Sequence, residues 1–314
     1  MATAISSQDL TKRYGSTVAL DSLSLNVEES VIYGFLGPNG AGKTTTLKIL
    51  TGLSRPTSGV AWVAGEKAVP DSIALRNKIG YLPEEPVFYN WMTGEEYLVL
   101  MGETFHLPSK ENKTRRQELL ELVDLKGAAQ RRIGGYSRGM RQRLGIAQAL
   151  MNRPSVLFLD EPSSALDPMG RVEVLDTLLR LKSQATTIFL SSHVLADVER
   201  ICDMVGIVDK GRLVVEAGVA ELRQRFAHSL LEVEFEETAS SFIAMLERLP
   251  WVQKVEVADG SNAAKFTVRA RDVSVAKREL PRLVAESGLT LRQYQLVLPT
   301  LEDVFIELVG KKEG

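Results

Sequence analysis

The pattern of apolar and polar positions divides this chain into alternating strands and helices. Leu23, Leu25 and Val27 alternate with Ser24 and Asn26, which is the period of a half-buried strand. Residues 3–36 as a whole suggest short strands joined by turns. Val31 to Leu36 is a continuous apolar run, predicting a buried strand, and Thr45 to Leu50 can follow as a helix. Val60 to Val63 reads as another strand, closed by Gly65. Pro83 and Pro86 keep the segment around them out of regular helix. From Thr93 to Lys126 the period turns helical, with Tyr97, Leu98, Leu100 and Met101, then Leu119, Leu122 and Val123, and Pro108 between two helices. Met140, Leu144, Ala147 and Met151 mark one buried face of the next helix. Val156 to Leu159 and Thr186 to Leu190 are apolar strands on either side of a helix over 168–183. Strands that alternate with helices predict a parallel sheet with ligands at the strands' carboxyl ends.

The character changes near Gly218. Leu231, Val233 and Phe235 alternate with Glu232, Glu234 and Glu236. A helix over 242–249, strands over 252–257 and 265–269 around the turn Asp259-Gly260-Ser261-Asn262, a helix over 273–287 and a strand over 290–298 complete a β-α-β-β-α-β order. That order is the ferredoxin-like arrangement. The expected domains are therefore 1–220, with a helical subdomain at about 85–155, and 221–314.

A length of 314 residues suits two domains better than one. The net charge of −2 gives no electrostatic footprint for nucleic acid, so no nucleic-acid partner is expected. Cys202 is the only cysteine, which excludes an intrachain disulfide and suits a reducing compartment. No signal peptide is evident, and no run approaches the roughly 20 apolar residues that span a bilayer. A membrane role would have to come through a partner.

The chemistry concentrates at strand ends. Gly37, Gly42, Lys43 and Thr44 fit G-x-x-x-x-G-K-[ST], with Pro38, Asn39, Gly40 and Ala41 between them and Thr45 after. Glycines let backbone amides approach an anion, and the following helix N-terminus adds its dipole. In such a loop the lysine reaches the β- and γ-phosphates and the Thr44 hydroxyl ligates Mg²⁺. Asp160 and Glu161 end one buried strand, where two carboxylates are costly unless they bind something charged. His193 follows another strand. Tyr14 is a candidate platform for an adenine ring, although a turn tyrosine is the commoner reading of such a residue.

Together these segments resemble the ATP-binding subunit of an ABC transporter over residues 3 to about 220. Tyr136 to Arg143 looks like the family's signature loop, Val156 to Pro162 its Walker B strand with the adjoining glutamate, Ser164 to Asp167 its D-loop, His193 its switch histidine, and Tyr81 to Glu84 its Q-loop. The segment Ser137 to Arg141 and the extension ending Pro299 to Phe305 look like the drug-exporter branch. The resemblance implies an α/β P-loop ATPase core with an antiparallel β subdomain and a helical signature subdomain. It implies ATP and Mg²⁺ as ligands, a second copy as partner, an integral membrane permease, and a place on the inner face of the cell membrane. Ser137 and Gly139 of one copy would cap the γ-phosphate held by the other. Asp160, Thr44 and Glu84 would hold Mg²⁺, Glu161 would activate water, and His193 would contact the γ-phosphate. Two departures stand out: Arg138 and Met140 replace residues of the commonest signature, and Glu84 replaces the Q-loop glutamine. A soluble ABC ATPase without transport is the rival reading, and a nucleotide-binding regulatory module with little turnover is a third. Of the apolar group Val87, Phe88, Tyr89, Trp91 and Met92, part is expected to be exposed as a docking groove for the permease, with Phe88 and Tyr89 as candidates.

Overall fold

The structure is a computed structural model that describes all residues except 1, 165, 183–185, 227–229, 259, 262 and 310–314; of residue 230 only the backbone is described. Ala165 of the expected D-loop, and Asp259 and Asn262 of the expected turn, thus lie outside the described residues. The chain forms two compact units, Met1–Val219 and Ala220–Gly314.

The first unit begins with β1 (Thr3–Tyr14) and β2 (Thr17–Glu28), two strands of 12 residues each rather than short ones. Bulges explain the difference. Their pairing shifts register at several points, and Asp9 and Ser22 have positive φ, so the two-residue alternation is interrupted in the sequence while the strands continue. Next come β3 (Ile32–Leu36), α1 (Lys43–Leu50), β4 (Ser58–Val63) and β5 (Glu66–Lys67). A helix that periodicity is too short to reveal, α2 (Ile73–Lys78), is capped by Ser72, whose hydroxyl accepts from the Leu75 amide. Then follow β6 (Ile79–Leu82), α3 (Gly94–Thr104), α4 (Ser109–Leu122), α5 (Arg138–Ala149), β7 (Val156–Asp160), α6 (Pro168–Lys182), β8 (Thr187–Ser192), α7 (Leu195–Ile201), β9 (Met204–Asp209) and β10 (Arg212–Gly218).

These strands make an antiparallel sheet in the order β2-β1-β4-β5 and a six-stranded sheet in the order β10-β9-β3-β8-β7-β6. In the larger sheet only β10 is antiparallel to its neighbour. The alternation of strand and helix in the sequence requires this: each parallel pair needs a crossover. One apolar cluster joins Leu20, Leu23 and Leu25 of the antiparallel sheet to Leu47 and Leu50 of α1 and to Phe35, Phe158 and Phe189 of the parallel sheet. Tyr33 stacks on Phe189 with ring centroids 5.2 Å apart, and both are fully buried. Burying each such ring stabilises the unit by about 1.5–3 kcal/mol. In the helical part, Thr93 and Glu96 form a reciprocal capping box at the start of α3.

In the second unit, α8 (Val219–Phe226) begins at the boundary. It is followed by β11 (Leu230–Phe235), α9 (Ser240–Leu246), β12 (Val252–Val257), β13 (Lys265–Ala270), α10 (Val273–Glu286), β14 (Leu291–Leu296) and α11 (Leu301–Val309). Its sheet runs β12-β13-β11-β14, all pairs antiparallel, which is the ferredoxin-like order. Phe235, Phe242 and Phe266 meet in its core, the first two edge to face at 5.4 Å. The helix α9 starts and ends earlier than expected, with Leu249 packing on the core beyond its end. The last helix was not anticipated. Its signal lay in Thr300 and Asp303, which cap each other's backbone amides. The α/β core with antiparallel and helical subdomains is thus the architecture the resemblance implies, and the ferredoxin-like fold after it is the one the element order predicts.

Candidate functional site

Four neighbouring parallel strands bring the candidate residues to one edge. The pairs Leu36↔Ser192, Ser191↔Asp160 and Leu159↔Leu82 bring the carboxyl ends of β3, β8, β7 and β6 level. The loop from Gly37 to Gly42 leaves the first of them. Gly37 sits so close to β9 that a Cβ would meet the Val208 carbonyl oxygen at 2.3 Å. Gly42 has φ +107°, and a Cβ there would meet the Ala19 carbonyl oxygen at 2.7 Å. Pro38, Asn39 and Gly40 are exposed at the loop's crest, whereas Ala41 and Gly42 are buried. Gly42 occupies the cap position of α1 and supplies no side-chain acceptor, so the first-turn amides stay available to an anion.

Lys43 turns back into this loop. Its ammonium donates to the carbonyls of Gly37 at 2.8 Å and Pro38 at 3.4 Å, and lies 3.5 Å from Oε1 of Glu161. Both side chains are more than nine-tenths buried. The other carboxylate oxygen of Glu161 is 2.8 Å from Nδ1 of His193 and accepts from the His193 amide at 3.3 Å. Glu161 has φ +48°, which is unusual for a residue with a side chain and places its carboxylate toward the loop. Ser191 secures that backbone: its carbonyl and hydroxyl both accept from the Glu161 amide, at 3.2 and 3.0 Å. The Ser191 hydroxyl also donates to Oδ1 of Asp160 at 2.6 Å, and Thr44 Oγ1 donates to the same oxygen at 3.4 Å. Burial, with Asp160's charge adding to it, pushes the Tyr81 phenol up to about 12, so it stays protonated.

A cavity of about 290 Å³ opens between these groups. Asn39, Gly40, Gly42, Lys43, Thr44, Thr45, Glu84, Glu161 and His193 line it, together with Ala19. Gly37, Pro38, Ala41 and Asp160 are not among the residues of its wall, but the Gly37 and Pro38 carbonyls accept from Lys43 and Asp160 accepts from Thr44. Tyr14 is not on that wall. It is half exposed at the end of β1 with the Lys12 ammonium 4.9 Å from its ring centre, and Ala19 lines the cavity instead. Ser137 and Gly139 are not on it either; they start α5, where Ser137 caps the Met140 amide. Gly139 is there for close approach: a Cβ would lie 3.3 Å from the Cα of Gly170 at the start of α6. Sequence reasoning missed Ala19 and Ser191. The run Ser191-Ser192-His193 was visible, but only the strand register shows which hydroxyl faces Asp160.

Thr44 and Asp160 offer two hard oxygens 3.4 Å apart at the cavity, with Glu84 on its rim. No group of three or more His, Cys, Asp or Glu placed to hold a metal occurs among the described residues. This donor set fits Mg²⁺, which takes one or two protein oxygens and completes its shell with phosphates and water.

Glu84 also borders a second cavity with Glu85, Pro86, Val87, Phe88, Asn90, Arg138, Arg141 and Gln142. Beside it Val87, Tyr89 and Trp91 are 87%, 53% and 69% exposed. Phe88, expected among the exposed members, is instead buried, edge to face with Tyr97 at 5.1 Å.

Comparisons with known proteins converge. The family described as "ABC transporter" matches residues 20–164, and "ATP-binding protein DrrA1-3-like, C-terminal domain" matches residues 218–309. The chain is 39% identical over 305 residues to the uncharacterized ABC transporter ATP-binding protein YxlF of Bacillus subtilis (strain 168), covering 97% of this chain and 99% of that one. It is 35% identical to the bacitracin transport ATP-binding protein BcrA of Bacillus licheniformis, with 99% and 98% covered. It is also 35% identical to the daunorubicin resistance ATP-binding protein DrrA3 of Streptomyces coeruleorubidus, with 98% and 96% covered. Among solved structures, the ATP-binding subunit of an ABC transporter superposes with TM-score 0.64 at 30% identity, covering 71% of this chain and 93% of that chain. A dimeric cassette bound to ADP and Pi gives TM-score 0.62 at 25% identity, with 68% and 98% covered. No helix among the described residues is long and apolar enough to cross a membrane.

Proposed function

The chain belongs to the ABC transporter family of ATP-binding, ATP-hydrolysing subunits, and from that premise we propose that it powers an exporter through an integral membrane permease on the inner face of the membrane. The observation that carries the site assignment is the triangle of Lys43, Glu161 and His193 at the mouth of the phosphate loop. ATP would take the cavity with its phosphates against the loop and α1 amides. Lys43 would exchange the Gly37 and Pro38 carbonyls and Glu161 for the β- and γ-phosphates. Thr44 and Asp160 would hold Mg²⁺, with Glu84 within reach at the rim, and the ion would neutralise phosphate charge. Glu161, released from Lys43, would orient the attacking water and accept its proton, while His193 stays hydrogen-bonded to it and meets the γ-phosphate. Such chemistry is positioning and electrostatics on a loose transition state.

Ser137 and Gly139 do not line the cavity of their own chain, which supports their acting on the site of a second copy stacked head to tail. The dimeric state of a related cassette supports the same arrangement. The exposed group Val87, Tyr89 and Trp91 supports a contact with a short helix of the permease, since exposed apolar patches mark such surfaces. Glu84 borders both that groove and the ATP cavity, and so would carry the signal between them. The unit from Ala220 would be an accessory or regulatory domain. The names of the relatives, in bacitracin transport and daunorubicin resistance, support export, with the substrate chosen by the permease. The test is purification of the tagged chain from detergent-solubilised membranes with phosphate release measured on the product. Recovery of an integral membrane protein in fixed ratio with ATP turnover is expected. Recovery alone at every detergent condition refutes the transport reading.

A further inference from the structure

Asp197 is a buried carboxylate that the reaction above does not use. It sits in the first turn of α7, four residues after His193, and is 4% exposed. Its two oxygens are held by two different segments. Oδ2 accepts from the hydroxyl of Ser163, two residues after Glu161, at 2.6 Å. Oδ1 accepts from Nε of Arg171, in the first turn of α6, at 2.5 Å. A favourable charge at a helix start would explain an acid here. It would not explain burial, nor two donors from outside the helix.

The connections run further. The start of α6 rests on α5 through the close approach of Gly170 and Gly139. About one turn on, the α5 residue Arg143 is paired with Glu173 of α6 at 3.0 Å. One carboxylate therefore ties together the helix behind His193, the turn after Glu161, and the helix on which the Ser137–Gly139 end of α5 is seated.

We infer that Asp197 is a positioning residue for ATP hydrolysis, locking His193, Glu161 and the α5–α6 pair into one body that must move together when the site closes. The inference rests on the assignment of Glu161 and His193 above. A misplacement of about 1 Å in such a constellation costs roughly a hundredfold in rate. Ground-state binding of nucleotide uses the loop and α1 instead, none of which Asp197 touches.

The test separates these effects in the full-length chain. In Asp197→Ala, kcat per folded molecule should fall at least roughly tenfold while the Kd for ATP, measured in EDTA, stays within about twofold. Asp197→Asn should recover most of the rate, because its amide oxygen still accepts from Arg171 and its amide nitrogen can donate to the Ser163 oxygen. Ser163→Ala and Arg171→Met, which each remove one bond, should lower kcat without changing Kd, and they serve if Asp197→Ala does not fold. The inference is overturned if kcat per folded molecule is unchanged in the variants that fold, or if kcat and ATP affinity fall together. Glu161→Gln measured alongside distinguishes the outcomes: full turnover there would remove the site assignment itself, whereas loss there with normal Asp197 variants removes only this inference.

Discussion

Replacing Glu161 by Gln separates binding from turnover, and the contacts of Glu161 give the size of both effects. The carboxylate lies 3.5 Å from the Lys43 ammonium, and both groups are almost fully buried. At an effective dielectric of about 20 the gross attraction at that distance is about 5 kcal/mol. Desolvation of the two charges offsets most of it. What remains is on the order of 1 kcal/mol, the net size of an ordinary protein hydrogen bond. ATP must break that contact to take Lys43, and an amide in place of the carboxylate weakens it. The variant should therefore bind ATP more tightly, by roughly fivefold. Turnover should move the other way, because an amide accepts no proton, and loss of a general base costs roughly 10²–10⁴ in rate. Phosphate release gives the rate, nucleotide titration the affinity, and size-exclusion chromatography with ATP the accumulation of an ATP-bound dimer. Turnover within tenfold of the parent, or weaker ATP binding, refutes the reasoning.

Trp91→Ser and Tyr89→Ser, at exposed positions, should leave basal ATPase and stability nearly unchanged and abolish export with the permease present; Phe88→Ser should instead destabilise the protein by about 3–5 kcal/mol in urea unfolding, since Phe88 is buried against Tyr97. Burial raises the Glu216 carboxyl above its usual value, partly opposed by the hydrogen bond from the Tyr33 hydroxyl at 2.6 Å. The folded state then binds that proton more tightly than the unfolded one, so stability relative to Glu216→Gln should rise as pH falls from neutral through the raised pKa, and level off below the unfolded value of 4.5; urea titrations of both proteins at a series of pH values check the sign. A chain ending at Val219 should keep ATP binding by nucleotide titration, because every residue lining the ATP cavity precedes that point.

The sequence by itself determined the class of fold and the chemistry of the loop. Period-two and period-3.6 patterns are local, and burial on one face writes them directly into residue order, as at Leu231, Val233 and Phe235. The loop from Gly37 to Thr44 was legible for a similar reason: its glycines answer backbone demands within a few residues. Features that depend on partners far along the chain were hidden. Bulges at Asp9 and Ser22 broke the alternation that would have revealed two long strands. Ser191 became recognisable only when the register set it beside Asp160, 31 residues away. Ala19 lines the cavity although nothing in its type points to it, because which residue reaches the wall depends on the path of the β1–β2 hairpin. Phe88 and Tyr89 are adjacent aromatics of similar size and both have rings near Tyr97, yet the first is buried and the second exposed, a difference their types do not reveal. Local periodicity fixes what an element is, while contacts between elements fix which of its side chains face the site.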